Sequence, residues 1–83
     1  MDKAARTKEF LAGFACALAD VNRLCDEPTG CANALQGAGL TLADFIDAGI
    51  DEYDLAELRK IIREGGGSRA DQARLRGRRK RSA

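Results

Sequence analysis

Leu40-Thr41-Leu42-Ala43-Asp44-Phe45-Ile46-Asp47-Ala48-Gly49-Ile50-Asp51-Glu52-Tyr53-Asp54-Leu55 contains a helix start, a stop and a second start in close succession. Thr41 followed by Asp44 is close to a capping box, in which a hydroxyl and a carboxylate take up the free N–H groups of a first turn. A third helix in the chain then runs to about Ala48, and Gly49 suits the left-handed position beyond its end. Ile50 is expected to fold back onto Phe45, the apolar contact that accompanies such an ending. Asp51 can cap a fourth helix, with Asp54 at its third position. Leu55, Leu58, Ile61 and Ile62 recur at helical spacing and make its buried face. Arg59, Lys60 and Arg63 suit its C-terminal end. Gly65-Gly66-Gly67-Ser68 reads as a stop followed by a flexible joint.

Upstream, a long first helix is expected from about Lys3 to Leu24. Phe10, Phe14, Leu18 and Val21, with Ala17, Leu24 and Cys25, build one broad apolar stripe. The opposite side carries Ala5, Ala12, Cys16 and Ala19. That small-residue face is either covered by a helix of the same domain, left to solvent, or used as a close seam between two copies. Asp26-Glu27-Pro28 ends this helix and begins a second over about 28–37, with Pro28 in its first turn and Leu35 as its main anchor. Gly37 and Gly39 stop it. No internal repeat of useful length is read. The expected fold is all-α, a small compact bundle of about four helices over residues 1–64. Residues 65–83 are expected to be the glycine-rich joint and a flexible, disordered arginine-rich tail, because Leu75 is the one large apolar residue after Arg69.

The 83 residues carry a net charge of only +1, but the charges are segregated. Residues 1–58 hold four basic and eleven acidic side chains, whereas residues 59–83 hold ten basic and two acidic. An acidic body and a basic extension attract different partners. In the extension, Arg74, Arg76, Arg78, Arg79, Lys80 and Arg81 can neutralise phosphates without sequence preference, and no aromatic lies among them to stack on bases. In the body, Asp44, Asp47, Asp51, Glu52, Asp54 and Glu57 lack the alternating loop that wraps calcium. Capping accounts for Asp44, Asp51 and Asp54. Asp47 and Glu57 have no such task, and with Tyr53 as an outward aromatic they mark an acidic docking surface for a basic site on another macromolecule.

Histidine is absent, which removes the commonest general base and metal ligand together. No catalytic residue, metal or cofactor is indicated. Three cysteines do not suggest a secreted disulfide scaffold. Cys16 and Cys25 point apart on the first helix, and Cys25 with Cys31 falls short of a zinc ligand set. Cys25 is read as a small core residue. No apolar run approaches a bilayer span, and the charged residues around the first helix argue against a signal peptide. The cytoplasm is the expected location.

Two resemblances rest on particular segments. Leu40 to Ile50, followed by Leu55, Leu58, Ile61 and Ile62, is similar to the last helices of SAM-type interaction domains, where a short helix ends in Leu-Gly-Ile before a longer one. Glu9 to Leu18, Asp26-Glu27-Pro28, and Ala48 to Leu55 resemble short uncharacterised proteins of bacteriophages and prophages, a group that brings no assigned activity. The second resemblance implies a small accessory gene product in a bacterial host cytoplasm. Phage proteins of this size often occlude a host protein, including defence systems such as CRISPR effectors.

The resulting expectation is a non-enzymatic, phage-type accessory protein that binds and inhibits a host protein or ribonucleoprotein. It would dock through Asp44, Asp47, Asp51, Tyr53, Asp54 and Glu57. The alternative is a nucleic-acid-associated regulator that uses the basic tail and forms a homodimer through Ala5, Ala12, Cys16 and Ala19.

Overall fold

The computed structural model describes residues 7–82, with side chains as far as Gly77. Among the described residues all regular structure is helical: α1 (Lys8–Cys25), α2 (Pro28–Gly37), α3 (Leu42–Asp47), α4 (Glu52–Gly65) and α5 (Arg69–Ser82). Thr7 starts α1, its Oγ1 accepting a hydrogen bond from the Phe10 N–H at 3.1 Å. The expected turns before it lie outside the described residues. Asp26 ends α1 in the left-handed conformation (φ +51°), which aspartate tolerates better than most residues. Pro28 then opens α2, where a missing N–H costs nothing.

Two successive ten-residue segments, Leu35-Gln36-Gly37-Ala38-Gly39-Leu40-Thr41-Leu42-Ala43-Asp44 and Phe45-Ile46-Asp47-Ala48-Gly49-Ile50-Asp51-Glu52-Tyr53-Asp54, repeat one device. Gly39 and Gly49 both have positive φ, +69° and +75°. The Leu40 N–H bonds the Leu35 carbonyl, as the Ile50 N–H bonds that of Phe45. Each ending places an apolar residue back in the core beside the residue five earlier. A capping residue, Thr41 or Asp51, follows at once and starts the next helix. The sequence contains this short repeat, contrary to the expectation of none, and it sets the sharp α2–α3–α4 turns.

Helix α4 is the axis. Leu58, Ile61 and Ile62 are fully buried, and α4 packs against each of the other four helices. Truncating one such side chain to alanine costs roughly 2–5 kcal/mol, a large share of what holds so small a domain together. The buried arc of α1 differs from the expected stripe. It runs through Leu11, Ala15, Ala19 and Asn22, while Phe10, Phe14 and Leu18 pack against the core from one edge. Alanines at the centre let α1 lie close to its neighbours, so the bulky rings reach in from the side. Phe14 meets Phe45 with centroids 6.4 Å apart. Val21 and Leu24 are left 46% and 84% exposed.

The glycine run and the segment after it also differ from expectation. A Cβ on Gly65 would sit 2.0 Å from the Pro28 carbonyl oxygen, because the end of α4 touches the start of α2 backbone to backbone. Gly67 has φ +52°, and a Cβ there would lie 2.7 Å from Ile62 Cγ2. These residues form a packed corner rather than a loose joint. Beyond it, Ser68 caps α5, its Oγ accepting from the Asp71 N–H at 3.2 Å. Gln72 Nε2 donates to the carbonyl of Ile62 at 2.8 Å. Leu75 is buried in the core. The buried Asp71 carboxylate accepts the Leu42 N–H at 2.9 Å, capping α3 from 29 residues away. The expected disordered tail is thus a docked helix at least through Leu75, and the boundary expected at 64/65 falls inside a packed contact.

One substitution tests this corner, and a second serves as its control. Gly65→Ala is expected to cost ~3 kcal/mol or more, at the upper end of overpacking penalties, in urea unfolding. Gly13→Ala, in the exposed interior of α1 with nothing within 4 Å of the new methyl, should stabilise by about 0.5–1 kcal/mol. Equal effects at the two sites would contradict the close contact at Gly65.

Candidate functional site

The side chains that carry most of the local polar chemistry meet where the end of α1 crosses the start of α4. Arg23, on the last turn of α1, is the hub. Its Nη1 lies 2.9 Å from Asp20 Oδ1, and its Nη2 donates to Asp54 Oδ1 at 3.0 Å and to the Tyr53 carbonyl at 3.1 Å. Glu57 Oε1 is 3.8 Å from Nε. The guanidinium carbon also stands 3.8 Å over the Tyr53 ring centroid, a cation–π stack. Beside it, Asn22 Nδ2 donates to Glu57 Oε2 at 2.7 Å, and the buried Asn22 Oδ1 has no partner. Burial works against the Arg23 charge, but hydrogen bonding to Asp54 and the neighbouring Tyr53 and Asp20 outweigh it and raise the pKa above that of an ordinary arginine.

This arrangement redistributes the six residues of the expected acidic surface. Asp44 closes the capping box of α3, accepting the Thr41 N–H at 2.8 Å. Asp51 caps α4 through the N–H groups of Tyr53, at 2.7 Å, and Asp54, at 3.3 Å. Both capping roles are as the sequence indicated. Asp54 is buried against Arg23, and Glu57, expected to be free of internal duties, is shared between Arg23 and Asn22. The reason is that α1 runs past the start of α4 and brings a cation to these carboxylates. Asp47 and Asp51 remain exposed, and so does Tyr53, at 71%. The structure therefore presents an aromatic clamped from one side, with the exposed acids Asp47 and Asp51 preceding it in sequence, rather than a continuous acidic face. Sequence reasoning missed Arg23. Its one local signal was Asp20, three residues earlier on the same helix.

The small-residue seam is divided. Ala12 and Cys16 are exposed, Ala19 is fully buried inside the chain, and Ala5 lies outside the described residues. Ala19 cannot meet a second copy because the core already covers it. The cysteines are also reassigned. Cys25 is exposed, whereas Cys31 is buried with its thiol 3.7 Å from the Leu18 carbonyl. Burial, then Glu27, Cys25 and Glu57, raise the Cys31 pKa above its ordinary value of 9.0. Among the described residues no group of three or more His, Cys, Asp or Glu side chains could hold a metal ion. No helix there is long and apolar enough to cross a membrane.

The candidate phosphate-binding residues begin on α5. Arg74 and Arg76 are exposed. Arg78, Arg79, Lys80 and Arg81 continue the same helix, and their side chains lie outside the described residues.

Tyr53 is the sole tyrosine in a chain without tryptophan, so its emission reports the hub directly. Arg23→Gln is expected to shift that emission toward free tyrosine and to lower the unfolding midpoint. An unchanged spectrum would place the guanidinium elsewhere. Cys16 and Cys25 should react rapidly with a thiol reagent in the native protein, and Cys31 only on unfolding. Because the folded-state pKa of Cys31 is raised, its contribution to stability is complete below the ordinary thiol value and declines as pH rises past it. Cys31→Ala should flatten that alkaline decline.

Compared with protein-family models, curated proteins and solved structures, the chain has no match. The resemblances to SAM-type domains and phage accessory proteins rest on their motifs alone.

Proposed function

We propose that this chain is a non-enzymatic accessory protein of the phage type that binds a host protein or ribonucleoprotein in the bacterial cytoplasm and inhibits it by occupying its surface. A defence or CRISPR effector is the class of target this reading favours. The observation that carries the reading is Tyr53, 71% exposed yet stacked beneath Arg23. An aromatic that is already ordered loses little freedom on binding, which is the property of an interface anchor. Asp47 and Asp51 beside the α3–α4 turn would steer the encounter with a basic patch, and Asp44, Asp54 and Glu57 would support the site from within. Charge in this scheme sets rate and orientation, and the tyrosine supplies the contact that persists.

Affinity capture from a bacterial lysate, with wild type, Tyr53→Ala and Asp47→Lys matched for helical content by circular dichroism, tests this reading. The partner retained by wild type should be reduced at least tenfold with Tyr53→Ala, corresponding to the ~1.4 kcal/mol of a modest hot spot. Asp47→Lys should slow association more than it speeds dissociation. Equal recovery of the same partner by all three would remove the α3–α4 turn from the interface.

A further inference from the structure

The geometry points to a second binding surface of a different kind: α5 is a mounted cationic helix that fits the major groove and phosphate backbone of duplex DNA. Its inner side is fixed to the body. Asp71 holds the Leu42 N–H at 2.9 Å, Gln72 bonds the Ile62 carbonyl at 2.8 Å, and Leu75 is buried. Its outer side, through Gly77, carries Arg69, Arg74 and Arg76 separated by Ala70, Ala73 and Gly77, all exposed. At helical spacing, Arg69, Ala73 and Arg76 form one row, and Ala70, Arg74 and Gly77 the next. Lys80 and Arg81 follow later in the sequence. No bulky apolar or aromatic side chain stands among the exposed residues.

Three consequences select the partner. First, the positive charge is not spent internally. The single acid within α5, Asp71, bonds the α3 amide rather than an arginine and offsets only one of the helix's positive charges, and Lys60 and Arg63 at the end of α4 are exposed on the element that α5 packs against. Second, a helix bearing small residues between its arginines stays near the ~10 Å diameter of a lightly decorated helix, and the B-DNA major groove is ~12 Å wide. Third, the absence of aromatics on the exposed side of α5 argues against single strands, whose binding relies on base stacking. A rigid mount suits a regular duplex, because the arginines are held in register before they meet it. Recognition through phosphates implies little sequence preference.

The test is titration of the full chain onto a labelled 20-base-pair DNA duplex at salt concentrations from 50 to 200 mM, followed by fluorescence anisotropy. Binding is expected to weaken with salt, and Arg74→Gln/Arg76→Gln should reduce the slope of log affinity against log salt by about 2, near 0.9 for each phosphate no longer neutralised. Both residues are exposed, so this variant should keep the wild-type fold. Asp71→Ala supplies the positional readout. Removing a negative charge from a cationic arm would by charge alone tighten binding, whereas loss of the mount is expected to weaken it at least threefold. No binding at 50 mM salt, an unchanged slope in the double variant, or tighter binding by Asp71→Ala would each overturn the proposal. So would stronger binding to vesicles rich in anionic lipid than to the duplex.

Discussion

The end of α4 and the start of α2 approach so closely that the Gly65 backbone rests on the Pro28 carbonyl, with no room for even one methyl group. This contact fixes how the central helix crosses α2. Once it is made, Leu58, Ile61 and Ile62 face the interior together, and Leu35, Leu40, Leu42 and Phe45 close around them. It also fixes where the chain goes next. Gly67, in a left-handed conformation against Ile62, turns the backbone so that Ser68 can cap α5 and Asp71 can reach α3. A run of glycines usually lends freedom. In this protein two of them are required for close packing.

Helix ends connect the fold to its surface chemistry. Helices as short as α2 and α3 gain little from propensity alone, so each leans on its terminal hydrogen bonds. The two ten-residue segments supply these locally through a left-handed glycine, a returning apolar residue and an immediate cap. α3 then receives one further acceptor from Asp71, which ties the third helix to the fifth. That carboxylate keeps its negative charge, but its hydrogen bond goes to the α3 amide rather than to an arginine side chain. The exterior is cationic because the exposed side of α5 carries Arg69, Arg74 and Arg76 against the single acid Asp71.

Charge segregation takes a different form in three dimensions. The acids of the body are largely engaged: Asp44 and Asp51 at helix starts, Asp54 and Glu57 around Arg23, and Glu52 with Arg59. What reaches solvent at the α3–α4 turn is an ordered tyrosine with Asp47 and Asp51 nearby. The exposed bases on α5 and the end of α4 keep their charge facing outward. The two proposed surfaces thus differ in mechanism, one relying on a preset aromatic anchor and the other on counterion release from phosphates.

The α2, α3 and α4 boundaries were legible from Pro28, Thr41, Asp44, Gly49 and Asp51 because capping and left-handed endings are short-range chemistry written within a few residues. The helical class followed from periodicity for the same reason. The ten-residue repeat and the Ser68-x-x-Asp71 start of α5 were equally local and readable, but a glycine run and an arginine-rich composition masked the second. Other features had no local signature. That α1 buries Ala15 and Ala19 rather than Val21 and Leu24 depends on how closely it lies against α4. That Arg23 gathers Asp54 and Glu57 depends on a crossing between residues more than thirty positions apart in sequence. Leu75 could not organise a fold by itself, but α4 offered its helix a surface and α3 offered Asp71 an unpaired amide. Those decisions belong to packing, since each concerns which groups meet after the local elements have formed.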